Sequence, residues 1–143
     1  MKEITGIMES LKIKSSKVSL AINDDESRII EFNPGDVAHR KAFYSIFSEL
    51  EEKGNEISKK EQMLSDENRK EAELELEEEL FDAIAEDVDK LFGEGTISKI
   101  TEGAKDCDLL IQFMYGITPY YQQYAESKLG KQVPKKSNKK VMK

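Results

Sequence analysis

The sequence has no tryptophan, a single cysteine and a single histidine in 143 residues. With Cys107 alone there can be no intramolecular disulfide, which fits a reducing compartment. With His39 alone there is no imidazole pair at zinc-site spacing and no partner pattern for a nucleophilic triad. Long hydrophobic runs are missing as well. Met1-Lys2-Glu3-Ile4 does not open the apolar segment of a secretory leader. Nothing approaches the roughly 20 apolar residues of a membrane span. These absences point to a soluble, cytoplasmic chain with no membrane partner.

Apolar residues make up 38% of the chain and charged residues 36%, against norms of about 45–50% and about 25%. One domain of this length then has a modest core and long solvated helix faces. The net charge of −7 hides a split. Lys131–Lys143 holds six Lys and no acid, so the first 130 residues carry 16 bases against 29 acids. An acidic body repels phosphate backbones, which argues against a nucleic-acid partner. The expected organisation is a single α+β domain over 1–130 and a basic tail over 131–143 without periodicity, expected to be disordered and dispensable for folding.

Residues 11–32 read as a β-hairpin. Val18, Leu20 and Ile22 alternate with Lys17, Ser19 and Ala21, and Ile30 and Phe32 share one face beyond the polar turn Asn23–Ser27. Ile13 is out of phase, which suggests a bulge near Ser15-Ser16. Asn33-Pro34-Gly35-Asp36 is a turn ending in a helix cap. Phe43, Ile46, Phe47 and Leu50 then mark one face of a helix from Val37 to Lys53, interrupted by Gly54-Asn55. Glu56–Leu80 is mostly polar. A second long helix is expected from Asp66 to Phe92, with Ser65-Asp66 as its cap and Phe81, Ile84, Val88, Leu91 and Phe92 as its apolar face. Gly93-Glu94-Gly95-Thr96 stops it, and Thr96 would cap a short helical turn, Ile97–Thr101. Asp106 caps a final helix whose stripe is Leu109, Leu110, Phe113, Met114 and Ile117, and Pro119 kinks it or restarts it. The fold class is α+β and mostly helical: a hairpin, three main helices and a short helical turn.

Few residues carry chemistry. His39 reads as a solvent-facing helix residue. Cys107 stands one residue inside a helix start, which can lower a thiol's pKa, yet without a partner it reads as a buried or half-buried inert thiol. Gly93-Glu94-Gly95 lacks the third glycine and the preceding strand of a phosphate loop. Asp87-Val88-Asp89 opens like a calcium loop, but Leu91 and Phe92 stand where an oxygen ligand and a glycine belong. Glu71–Glu79, with six Glu, is a solvated helix face or a surface for a basic partner. No catalytic residue, cofactor or metal ligand is assigned, and the expectation is a non-enzymatic protein. Tyr115, Tyr120, Tyr121 and Tyr124 make the last helix aromatic on more than one side, and Tyr and Met are enriched at interfaces. The expected protein-binding residues are therefore Phe113, Met114, Ile117, Tyr120, Tyr121 and Tyr124.

At this point the chain resembles the small tail-assembly chaperones of long-tailed bacteriophages that infect Gram-positive hosts. The resemblance rests on four features. These are the hairpin followed by Asn33-Pro34-Gly35-Asp36, the stretch Val88-Asp89-Lys90-Leu91-Phe92-Gly93-Glu94-Gly95-Thr96, the final helix with Phe113 and Thr118-Pro119-Tyr120, and the Lys-rich tail. It covers about residues 13 to 130, and Glu56–Glu79 has no counterpart in it. The resemblance implies a protein of the host cytoplasm, absent from the mature virion, that coats the tape-measure protein before the tail tube forms around it. It further implies self-association, contact with the tail tube protein, and a longer frameshifted form. Another non-enzymatic phage or bacterial adaptor, inhibitor or structural tail component would fit the same composition.

Overall fold

Four residues on either side of a polar turn form the only two strands among the residues described by the computed structural model, 8–126. β1 (Val18–Ala21) and β2 (Ile29–Phe32) pair antiparallel, with Val18 opposite Phe32 and Leu20 opposite Ile30. That register puts Ile30 and Phe32 in the core and Val18 and Leu20 against it. Ile13 lies outside the ladder and is exposed, so the strand starts later than the expected bulge. The turn is tied by Asp25, whose carboxylate accepts from the Ser27 amide, the Ser27 hydroxyl and Arg28 Nε. These hydrogen bonds hold the Asp25 carboxyl below its usual pKa. A two-stranded hairpin is marginal alone in water. Here it is bolted to the helices by Arg28 Nη1 donating to the Lys99 carbonyl at 2.8 Å and Lys99 Nζ donating to the Ile29 carbonyl at 2.8 Å.

Helix α1 runs from Val37 to Gln62, capped by the Asp36 carboxylate, which accepts from the Ala38 and His39 amides. The expected stop at Gly54-Asn55 does not occur. A helix-interior glycine costs only about 1 kcal/mol relative to alanine, and the partner helix α2 (Arg69–Phe92) outweighs that by packing along α1. Ile57 on α1 faces the same narrow crevice as Leu80 and Ala83 on α2. The polar stretch around Glu56–Glu79 is thus the far end of a long helical hairpin. Its turn is closed by Arg69, which donates to the carbonyls of Leu64 (2.9 Å) and Glu61 (2.8 Å) and pairs with Glu73. The expected Ser65-Asp66 cap is displaced to Asn68, a left-handed residue at φ 60°.

Gly93, at φ 118°, ends α2 as expected. The cap of α3 (Thr96–Thr101) differs from expectation: Gly95 occupies the cap position and Thr96 is the first helical residue. Asp89, still on α2, supplies the missing acceptor by receiving the Ile97 amide at 2.8 Å. The Thr96 hydroxyl donates back to the Gly93 carbonyl at 2.7 Å. α4 (Cys107–Tyr124) begins as expected at Asp106, whose side chain accepts from the Asp108 amide. Pro119 does not divide it. Proline removes the amide that would bond the carbonyl four residues back, and that residue, Tyr115, is on the exposed side of α4, where water can serve its carbonyl. The core joins β2, α1, α2 and α4 through Ile30, Phe32, Phe43, Ile84, Val88, Leu110, Met114 and Tyr121, with Val18 and Leu20 of β1 and Ile97 and Ile100 of α3 packed against it. The fold is α+β and mostly helical. No helix among the described residues is long and apolar enough to cross a membrane. The basic tail, and the residues on either side of Gly130, lie outside the described residues.

Candidate protein-binding site

The aromatic final helix meets three neighbours, which decides where its side chains go. Phe113, Met114, Ile117 and Tyr121 are buried, so these four expected binding residues belong to the core. The physical reason is that α4 is clasped by the hairpin, α1 and the α2–α3 corner together, so one wide stripe is covered from several sides. Phe113 packs edge-on against Phe92, and Tyr121 stacks on Phe43 with ring centroids 4.5 Å apart. Tyr120 is half-buried, edge-on to Phe32. Tyr124 is half-buried under the Arg40 guanidinium, which lies 5.4 Å from its ring centroid, a cation–π contact. Gly35 is needed beside it: a Cβ there would sit 3.2 Å from the Tyr124 hydroxyl and 3.1 Å from Asn33 Oδ1.

His39 is not the solvent-facing residue expected from its helix position. Its ring stacks on Phe32 and meets Phe92 edge-on, and Nε2 is 2.7 Å from the Tyr121 hydroxyl. Burial lowers the His39 pKa, partly offset by the Asp36 charge, so the imidazole is neutral at neutral pH. Burial likewise raises the Tyr121 phenol, and the pair is a neutral hydrogen bond inside an aromatic box. No signal in the sequence joins residues 39 and 121, which are brought together only by the antiparallel packing of α1 and α4. Cys107 is half-buried, the second of the two expected placements, its thiol pushed up by burial and by the nearby Glu77 and Asp106 charges. That is the opposite of an activated nucleophile. Among the described residues no group of three or more His, Cys, Asp or Glu is placed to hold a metal ion.

The surface that remains apolar lies along the seam between α1 and α4. Tyr115 is 58% exposed and Ile111 38%, one turn apart on α4. Tyr115 meets Phe47 of α1 edge-on at 4.9 Å, and Tyr44, 44% exposed, lies one turn back on α1 against Phe43 and Tyr121. Val37, two turns from Tyr44, is exposed on the same side of α1. The seam is therefore an apolar strip continuous with the core, with Lys41 between Val37 and Tyr44 and with Arg40, Glu51 and Glu52 flanking it. Tyr115 was visible in the sequence as part of the tyrosine cluster. Tyr44, Val37 and Ile111 were missed, and adjacency of Phe43 and Tyr44, which forces one of the two outward on a helix, was the available signal. No protein-family model matches the chain, and no curated protein or solved structure matches it either.

Proposed function

We propose that the protein is a non-enzymatic binder of apolar helices, working in the host cytoplasm as a tail-assembly chaperone that keeps a phage tape-measure protein soluble. The observation that carries the binding role is the exposed seam of Val37, Tyr44, Ile111 and Tyr115, on a chain whose other large aromatics are buried or half-buried. Scattered exposed apolar residues are ordinary, whereas several gathered along one helix pair mark an interface. A partner helix laid in the seam would bury its apolar face between α1 and α4. The acidic α1–α2 hairpin would keep the complex soluble by charge. The tape-measure partner itself comes from the resemblance of residues 13–130 to such chaperones.

The test is co-expression with an apolar helical segment of a tape-measure protein. The parent should keep the segment in the soluble fraction and co-purify with it. Tyr44→Glu combined with Tyr115→Glu should lose it while circular dichroism stays native, because both side chains are already exposed. Undiminished binding by that variant would refute the seam as the site. Retention of the protein in purified virus particles would instead favour a structural tail component.

A further inference from the structure

Nine large hydrophobic residues are exposed among the described residues, and seven of them fall in two places. Four are on the seam. The other three, Met8 (93% exposed), Leu11 (82%) and Ile13 (82%), belong to the irregular segment that precedes β1. We propose that this segment is an exchange arm: it docks in the α1–α4 seam of a second copy of this chain, which returns its own arm. The proposal rests on the reading of the seam as a helix-binding surface, and it names an occupant that competes there with any other partner.

Position, reach and charge support it. Ser16, the root of the arm, is beside Gly35 and Tyr124, at the end of the seam where α1 begins and α4 finishes. Residues 8–15, extended, span about 26–29 Å. The seam from Tyr124 to Ile111 is about 20 Å of helix, so the arm is long enough to cover it. On its own chain the arm leaves Leu11 and Ile13 in water and the seam uncovered, so the apolar surfaces remain open to another copy. A swap of identical arms is a closed two-fold arrangement in which each copy gives and receives the same contact.

The charges agree. Residues 8–17 carry Lys12, Lys14 and Lys17 against one acid, Glu9. Residues 18–126 carry 27 acids against 11 bases, and along the α1 side of the seam Arg40 and Lys41 line the Val37 end while Glu49, Glu51 and Glu52 line the end beyond Phe47. The basic arm is thus attracted to the acidic body while Leu11 and Ile13 supply the apolar contact.

Sedimentation equilibrium of the full chain tests this with two variants, Leu11→Glu/Ile13→Glu in the arm and Tyr115→Glu in the seam. The parent should associate reversibly, and each variant should raise the dissociation constant about a hundredfold or more, as expected when a charge replaces an interface anchor. An equimolar mixture of the two variants should recover a heterodimer, since one copy still offers an arm and the other a seam. Ile111→Glu repeats the seam test should Tyr115→Glu unfold. A monomeric parent, with its arm free or folded on its own seam, overturns the proposal. So does an arm variant that associates as tightly as the parent, which would indicate a face-to-face contact without the arm. The arm variant keeps its seam and should still bind the tape-measure segment. Loss of arm-dependent association with segment binding intact in the parent and absent in Tyr115→Glu therefore separates this proposal from the function reading, and either can fail alone.

Discussion

Replacing Tyr121 by Phe isolates one hydroxyl in the aromatic box. The ring stacking on Phe43 at 4.5 Å and the contacts with Phe32 and His39 are kept, while the 2.7 Å hydrogen bond to His39 Nε2 is lost. A hydrogen bond of this kind contributes about 1 kcal/mol net, and the half-buried imidazole nitrogen left behind adds a desolvation cost of about 1 kcal/mol. The expected loss is about 1–2 kcal/mol. For a domain of this size that is a fall in Tm of roughly 3–8 °C. Tyr121→Ala also removes the buried ring, which costs about 3–5 kcal/mol, a large share of the roughly 5–15 kcal/mol that holds a domain folded. The assay is thermal and urea unfolding followed by circular dichroism, with pH as the second axis. Burial depresses His39 in the folded state, so its contribution is present above the ordinary pKa of 6.5 and is lost as pH falls through the lower folded value. Parent stability should therefore decline below pH 6.5 through this group. A Tyr121→Ala variant that stays folded at parental stability and loses only partner binding would refute the placement of Tyr121 in the core.

Two further substitutions probe the helical hairpin. Gly54→Ala should raise stability by up to about 1 kcal/mol, because Gly54 is inside α1 and nothing lies within 4 Å of an added Cβ. A destabilised variant would show that α1 breaks there after all. Glu49→Gln should raise Tm slightly at neutral pH: the hydrogen bond to Asp87 raises the Glu49 pKa, followed in effect by burial and the Asp87 charge. A raised carboxyl stabilises the fold below its ordinary pKa of 4.5 and loses that contribution as pH rises through the folded value. The advantage of the variant should therefore vanish in acid, and an advantage that persists there would dismiss the carboxyl pair as its cause.

Much of the fold follows from local rules that need no tertiary information. Alternation at Val18–Ile22 and Arg28–Phe32 specifies the hairpin, because a strand sends successive side chains to opposite faces. Asp36 and Asp106 mark helix starts, since a carboxylate next to free amides is a cap wherever it occurs. Gly93 marks a helix stop because few other residues adopt φ 118°. Other features depend on what lies across space. Gly54 reads as a break in isolation, and α1 continues only because α2 is there to bury against. Asp89 caps a helix that its own helix does not contain, and Arg69 closes a turn five to eight residues behind it. The division of the last helix into core and surface is also tertiary. Apolar identity tells that a side chain prefers to leave water, but which of several candidates does so is set by the neighbouring elements. The hairpin, α1 and α2 take Phe113, Met114, Ile117 and Tyr121, and leave Ile111 and Tyr115 outside with Tyr44 along a seam that exists only once α1 and α4 lie side by side.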